Sequence, residues 1–224
     1  MLQVFLKNSL VYTLGQVLTS SIAIFLLPIY TRYLSPSEYG VIDLFIVITA
    51  LVNLTIALEI SQGVARYFQE AKNEKEKKKY TSSAFWFTIF VYLIFFLLTY
   101  IFSDILTLWL LEDIKNKQLF LLATFSVVTN GIFYFTRNQL RWQIQPKNSV
   151  VTSFLNIFLI AIISLYLLVI EGLKLESIFI GQIIGNITAS VVAIFYARKS
   201  YGLTFSIIKF KKMASYSMPL VLSS

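Results

Sequence analysis

Cysteine and histidine are both absent from the 224 residues. Without thiols there is no disulfide framework, and without imidazole there is neither a zinc site of the usual kind nor a histidine general base. Charge is scarce as well. Charged residues make up 13% of the chain and hydrophobic ones 57%. A soluble domain carries about 25% and about 45–50% respectively. That balance excludes an ordinary water-soluble globule. It also changes the meaning of the net charge of +8. In a soluble protein such an excess points to nucleic acid; in a membrane protein it points to basic loops on the cytoplasmic side. No nucleic-acid partner is expected. Catalytic patterns are missing too. Glu112 and Asp113 are adjacent acids without a metal-ligand partner, no phosphate-binding glycine loop occurs, and no base stands ready to activate a serine. Neither ATP hydrolysis nor sugar transfer is expected of this chain, nor a bound metal or cofactor.

What is present is a series of long uncharged runs. A membrane-spanning helix needs about 20 apolar residues. Asn8–Thr31 offers 24 uncharged residues, Tyr80–Ser103 24, Gln118–Thr136 19, Asn148–Ile170 23 and Ser177–Ala197 21. Between Asp43 and Glu59 lie 15 more, and an apolar helical pattern continues to Tyr67 with Glu59 as an interruption. The first run is too long for a signal peptide and no A-x-A cleavage pattern follows it. The expectation is an all-α, polytopic membrane protein with six spans over residues 1–199. A basic cytoplasmic linker over 200–212 follows. A seventh span starts at Met213 and is cut off at Ser224, as expected for the front part of a longer protein.

Lysine and arginine concentrate in cytoplasmic loops. With the amino terminus inside, fifteen of the 19 basic residues fall on the inner side; Arg32, Lys115, Lys117 and Lys174 fall outside. The segment Lys72–Lys79, "KNEKEKKK", reads as a solvated inner loop able to meet anionic headgroups of membrane lipids. Trp and Tyr near the span ends read as an interfacial belt.

Polar residues inside spans are functional candidates by default. Glu59, Gln62 and Arg66 follow at i, i+3 and i+7, so a continuous helix presents them on one face, with Glu59 and Arg66 about 10 Å apart along the axis. They read either as a cavity-facing cluster or as an ion pair that staples two helices. Asp43 is expected at the outer start of the same helix, where it favours the positive end of the dipole. Gln16 lies on a polar face of the first span with Thr13 and Ser20; Asn130 and Asn156 sit near the middle of the fourth and fifth spans; Gln182 and Asn186 sit four apart in the sixth. Gly181, Gly185 and Ala189 form a stripe of small residues for close helix packing. Amides recurring on most spans fit a water-accessible cavity, although interhelical hydrogen bonding is an equal use for each one.

Four stretches carry a family resemblance. "LPIYTRYLSPSEYGVIDLF" resembles the end of the first span, the outer turn and the start of the second in polysaccharide and O-antigen flippases of the multidrug/oligosaccharidyl-lipid/polysaccharide exporter superfamily. "LEISQGVARYFQE" is similar to that family's close of the second span, "RNQLRWQIQPKNSV" to its loop between spans four and five, and "FKKMASYSMPLVLSS" to the opening of span seven. The resemblance implies a two-lobed, MATE-like transporter with the N-terminal six-helix lobe in this chain. It implies alternating access and, as cargo, a polyprenyl-diphosphate-linked oligosaccharide for cell-surface polysaccharide, lipopolysaccharide included. The setting would be the cytoplasmic membrane, with glycan polymerase machinery nearby. Its coupling ion, Na+ or H+, stays open. In that frame Arg66, Arg137 and Arg141 lie where cargo loads and Arg32 where it leaves; each has snorkelling as its alternative. Pro28 is a candidate kink. The remaining alternatives are a cation-coupled multidrug antiporter of the same superfamily and a non-transporting membrane scaffold or synthase subunit.

Overall fold

The computed structural model describes residues 2–221, with side chains from Ser9 to Leu220. Nine α-helices and no strands occur among the described residues: α1 (Leu2–Tyr33), α2 (Pro36–Thr55), α3 (Ile60–Glu70), α4 (Glu74–Ile101), α5 (Ser103–Leu111), α6 (Lys117–Trp142), α7 (Pro146–Val169), α8 (Leu175–Tyr196) and α9 (Ile207–Val221). Six segments are long and apolar enough to cross a membrane: Ser9–Tyr33, Pro36–Thr55, Glu74–Ile101, Ile114–Trp142, Pro146–Val169 and Leu175–Tyr196. Six spans were expected from the gaps between charges; five fall where expected, and the second, expected over Asp43–Tyr67, lies at Pro36–Thr55.

Apolar side chains fill the core and also cover the surface, unlike those of a soluble protein. Phe25, Trp109 and Val191 are 76%, 79% and 61% exposed, while Thr81, Thr136, Thr152, Ser164 and Asn186 are buried. In lipid an exposed apolar side chain costs nothing, and packing and internal hydrogen bonds hold the helices instead. The buried hydroxyls are used locally: Thr88, Thr136 and Thr152 donate to the carbonyls of Ala84, Ile132 and Asn148, four residues back, at 2.9 Å.

At the centre stands α6. Of its spanning window 67% is buried, against 11% for α1. It packs on α8, α4, α2 and α7, and α7 and α8 form the tightest helix pair. The small-residue stripe explains that pair. A Cβ on Gly185 would stand 3.0 Å from the Asn156 carbonyl oxygen and 2.6 Å from Ile160 Cγ1, so the absence of a side chain lets α8 seat on the α7 backbone. By contrast, α1 rides on α7 at the edge of the bundle. Tyr30 Oη and Ser164 Oγ, 2.5 Å apart, tie the two. It stays helical through Pro28, so the candidate kink leaves no break.

Four local expectations need correction. The helix expected to run from Asp43 to Tyr67 is two helices. Past Thr55 the chain leaves the ladder and Leu58 and Glu59 take left-handed conformations, φ 53° and 42°. Glu59 therefore precedes α3 as its N-cap residue and does not share a helical face with Gln62 and Arg66. Asp43 is not at a helix start, because α2 begins at Pro36. Ser35 caps it: its Oγ accepts from the Glu38 amide at 3.3 Å, while the Glu38 carboxylate accepts from the Ser35 amide at 2.7 Å. The "KNEKEKKK" loop is mostly helix. Asn73 Oδ1 accepts from the Glu76 amide at 2.9 Å and Lys77 pairs with Glu74 at 2.9 Å, so α4 starts inside the charge run. The short α5 was not expected as a helix of its own. The seventh apolar run belongs to a helix that begins at Ile207, six residues before Met213.

The helix ends fall into two layers. One end gathers the basic residues of α3, the start of α4, the end of α6 and the start of α9. It is tied by Gln69 Nε2 donating to the Trp142 carbonyl at 2.7 Å and by Lys209 donating to Glu76. The opposite end holds Lys174–Glu38 at 3.1 Å and Lys117–Asp104 at 2.6 Å.

Candidate functional site

Two polar cavities open along the middle of the bundle. The first, about 430 Å³, lies between α1, α6 and α7 and is lined by Tyr12, Gln16, Arg137, Arg141, Ser149, Ser153 and Asn156 among others. Arg137 and Arg141 are four residues apart on α6, so both reach the same side of the helix. Arg137 is half-buried, its guanidinium 5.7 Å from the Phe133 ring centroid, and its Nε is buried without a hydrogen-bond partner. Arg141 is exposed and lies 5.6 Å from the Tyr12 ring centroid. No acid lines this cavity. Two cations without a counter-charge, one with a buried donor unfilled, make it electropositive.

The second cavity, about 330 Å³, lies between α2, α6, α7 and α8. Its polar lining is uncharged: Thr49, Asn53, Ser126, Asn130, Asn156, Gln182 and Asn186, with Phe45 and Phe179 as apolar wall. Asn156 lines both cavities, so they lie side by side along the bundle. A short chain of hydrogen bonds fixes the junction. Asn156 Nδ2 donates to Asn186 Oδ1 at 2.9 Å, and Asn186 Nδ2 donates to Thr129 Oγ1 at 3.4 Å, which links α7, α8 and α6. Asn186 is spent on this bridge and is buried, whereas Asn130 and Gln182 keep unbridged amides on the cavity wall. Asn156→Leu is expected to lower stability by about 0.6–1.7 kcal/mol, the range for interhelical hydrogen bonds in lipid. Thermal unfolding in detergent checks it.

The structure thus brings Gln16, Arg137, Arg141 and Asn156 onto the wall of the first cavity and Asn130, Asn156 and Asn186 onto that of the second. Glu59 lines a smaller cavity that shares Asn53 with the second. Three other candidates lie apart. Arg66 pairs with Glu70 at 3.3 Å and its guanidinium stands 4.6 Å from the Tyr216 ring centroid, facing α9. Gln62 is exposed on the same side of α3, and Arg32 is exposed at the opposite end of the bundle. Neither lines a described cavity. Asn53 and Tyr12 are among the lining residues that sequence reasoning missed, with Ser149, Ser153, Thr49 and Ser126. An amide inside an apolar span was a readable signal for Asn53; for Tyr12, near a span end, there was none.

These features define a class: a multi-pass membrane protein whose helical lobe has the fold of MOP-superfamily transporters. It is similar to an outward-facing multidrug resistance MATE family transporter of that superfamily, with a TM-score of 0.75 and 12% identity over 97% of this chain and 53% of that one. It is also similar to a MOP superfamily transporter from Pyrococcus furiosus Vc1, with a TM-score of 0.69 and 12% identity over 96% and 50%. The chain spans about half the length of these two structures. No curated protein matches the sequence. The model of a family described as polysaccharide biosynthesis protein matches residues 29–224, and the chain belongs to that family.

Proposed function

We propose that this lobe forms one wall of a transport path for a lipid-linked oligosaccharide, which crosses the cytoplasmic membrane by alternating access. The basic end of the bundle, with the amino terminus, faces the cytoplasm in this reading, as the excess of lysine and arginine at that end requires. The observation that carries it is the pair of adjacent polar cavities, one with Arg137 and Arg141 on its wall and one lined by amides, that share Asn156. A diphosphate headgroup cannot enter hydrocarbon bare, because an unpaired ion there is prohibitively costly to desolvate. Two arginines without acidic partners offset that cost, and their fork geometry suits phosphate oxygens. Amides along the chamber exchange hydrogen bonds with sugar hydroxyls, while the polyprenyl tail stays in lipid beside the exposed apolar faces. In this reading the lobe binds and moves its cargo without cleaving it, which the transporter fold supports.

The test is genetic and chemical. In a strain lacking the intact protein, undecaprenyl-linked glycan is expected to accumulate on the inner leaflet and surface polysaccharide to be lost, with both restored on re-expression. Unchanged surface glycan in that strain overturns the reading.

A further inference from the structure

A further polar recess, of about 230 Å³, lies at the basic end of the bundle, between the α6–α7 turn and the end of α8. It is lined by Gln143, Gln145, Phe195, Tyr196, Arg198 and Lys199. Gln143 follows the α6 span and Gln145 precedes the α7 span; Phe195 and Tyr196 close the α8 span, and Arg198 and Lys199 lie just past it. The recess therefore stands at the level where lipid headgroups meet water. It is positive, with no counter-charge on its walls. Arg198 and Lys199 are exposed, and neither pairs with an acid among the described residues. No aspartate or glutamate occurs between Asp113 and Glu171 or after Glu176, so neither segment that builds the recess carries one.

The donors are held in place. Arg198 Cζ stands 4.5 Å from the Phe195 ring centroid; stacking uses the face of the guanidinium and leaves its N–H edges for an anion. A relay of amides crosses from α7 to the turn after α8. Asn148 Nδ2 donates to Gln145 Oε1 at 2.7 Å, Gln145 Nε2 to Gln143 Oε1 at 2.5 Å, and Gln143 Nε2 to Ser200 Oγ at 2.6 Å. An amide nitrogen has two N–H groups, so both glutamines keep a donor. The turn Arg198–Ser200 is anchored from the other side, where Trp86 Nε1 donates to the Gly202 carbonyl at 2.9 Å and the Tyr201 ring lies 4.9 Å from that of Phe85. Donors fixed beforehand lose little freedom on binding. Apolar surface flanks them. Ile144, between the two glutamines, ends α6 in a left-handed conformation, φ 53°, where glycine is usual. It is exposed, so no packing within the chain explains an isoleucine there, and Phe195 and Val191, one turn apart on α8, are exposed as well.

We propose that this recess binds the headgroup of an anionic phospholipid, its phosphate held by Arg198, Lys199 and the Gln143 and Gln145 amides and its acyl chains lying along Ile144 and α8. A basic pocket between spans at the membrane surface is a general form of such recognition. A free phosphate satisfies the donors but leaves the apolar flank unused. The recess shares no lining residue with the two larger cavities, so the site stands whatever cargo those take and whichever side the basic end faces.

The experiment holds the protein in dodecylmaltoside micelles containing phosphatidylcholine and titrates in phosphatidylglycerol, with bound lipid counted by native mass spectrometry. The wild type is expected to take up phosphatidylglycerol saturably and in preference to phosphatidylcholine, and inorganic phosphate at matched concentration is expected not to displace it. Arg198→Gln/Lys199→Gln is expected to weaken that binding about 30-fold, the effect of two interfacial cations. Both side chains are exposed, so thermal unfolding in phosphatidylcholine alone is expected to stay unchanged. Arg198→Lys keeps the charge, loses the fork and is expected to fall between. Lys75→Gln/Lys79→Gln removes the same charge from α4, outside the recess, and is expected to leave the saturable site intact. The proposal is overturned if phosphatidylcholine binds equally well, if phosphate displaces the lipid, or if the two double variants lose binding alike. Should Arg198→Gln/Lys199→Gln fail to fold, Arg198→Lys decides: an unchanged affinity for phosphatidylglycerol overturns the site.

Discussion

Arg137→Ala/Arg141→Ala is expected to reduce glycan export about 100-fold or more, since each hydrogen bond to a charged group is worth about 1.5–3 kcal/mol. The reasoning follows from position. Both guanidinium groups line the cavity at the basic end, no acid neutralises them, and the buried Nε of Arg137 has no partner. An anionic headgroup entering from that end meets them before it meets the amide chamber. Losing one arginine leaves a weaker site, and losing both leaves no cation among the described residues of this cavity. Arg137→Lys is expected to retain charge but lose bidentate geometry, and so to fall between. Complementation of a deletion strain, scored by surface polysaccharide at equal protein abundance, checks the series. Full export by the double variant would remove the arginines from the path. Arg66→Ala is the informative comparison, because Arg66 lies outside the cavities and stacks toward α9.

A second large effect is expected at Gly131. This residue sits on α6 directly beneath Tyr92, and any Cβ there would overlap the Tyr92 ring. Tyr92 is buried and donates to Asn53, so it has no free rotamer to retreat into. Gly131→Val should therefore destabilise by about 3 kcal/mol, at the upper end of overpacking costs. Tyr92→Ala in the same protein should recover much of that loss, because it vacates the space the valine needs. The paired measurement isolates the clash from any change in helix propensity. Thermal unfolding of the two single variants and the double variant checks it; strictly additive losses would mean the ring and the glycine do not share that space.

The six spans were legible because most lysines and acids gather at or beyond their ends, with Asp43 inside α2 as an exception. The family resemblance read from "LPIYTRYLSPSEYGVIDLF" and its companions agrees with the matched family model and with the fold. The α2–α3 break was not legible. Leu58 and Glu59 carry no glycine or proline signal, and propensity alone continues the helix; only tertiary placement of α3 against α4 and α9 turns the chain there. The start of α4 was hidden by its composition, because a lysine-rich run reads as loop until Asn73 is seen to cap it. For the cavity, the i, i+4 spacing of Arg137 and Arg141 was readable. That Gln16 from α1 and Asn156 from α7 meet them depends on how helices distant in sequence cross. Arg66 shows the converse: on sequence it belonged with the path, yet its ring contacts carry it to the opposite side of α3.

The seating of α9 has a mechanical corollary. Its Ser217 Oγ accepts from the Gly63 amide at 3.0 Å, Met213 is buried against α3, and Lys209 reaches Glu76 at the foot of α4. The helix is riveted to its neighbours at three levels. Any tilt of α3 and α4 carries α9 along as part of the same stiff body, and the basic stretch before Met213 is held rather than hinged.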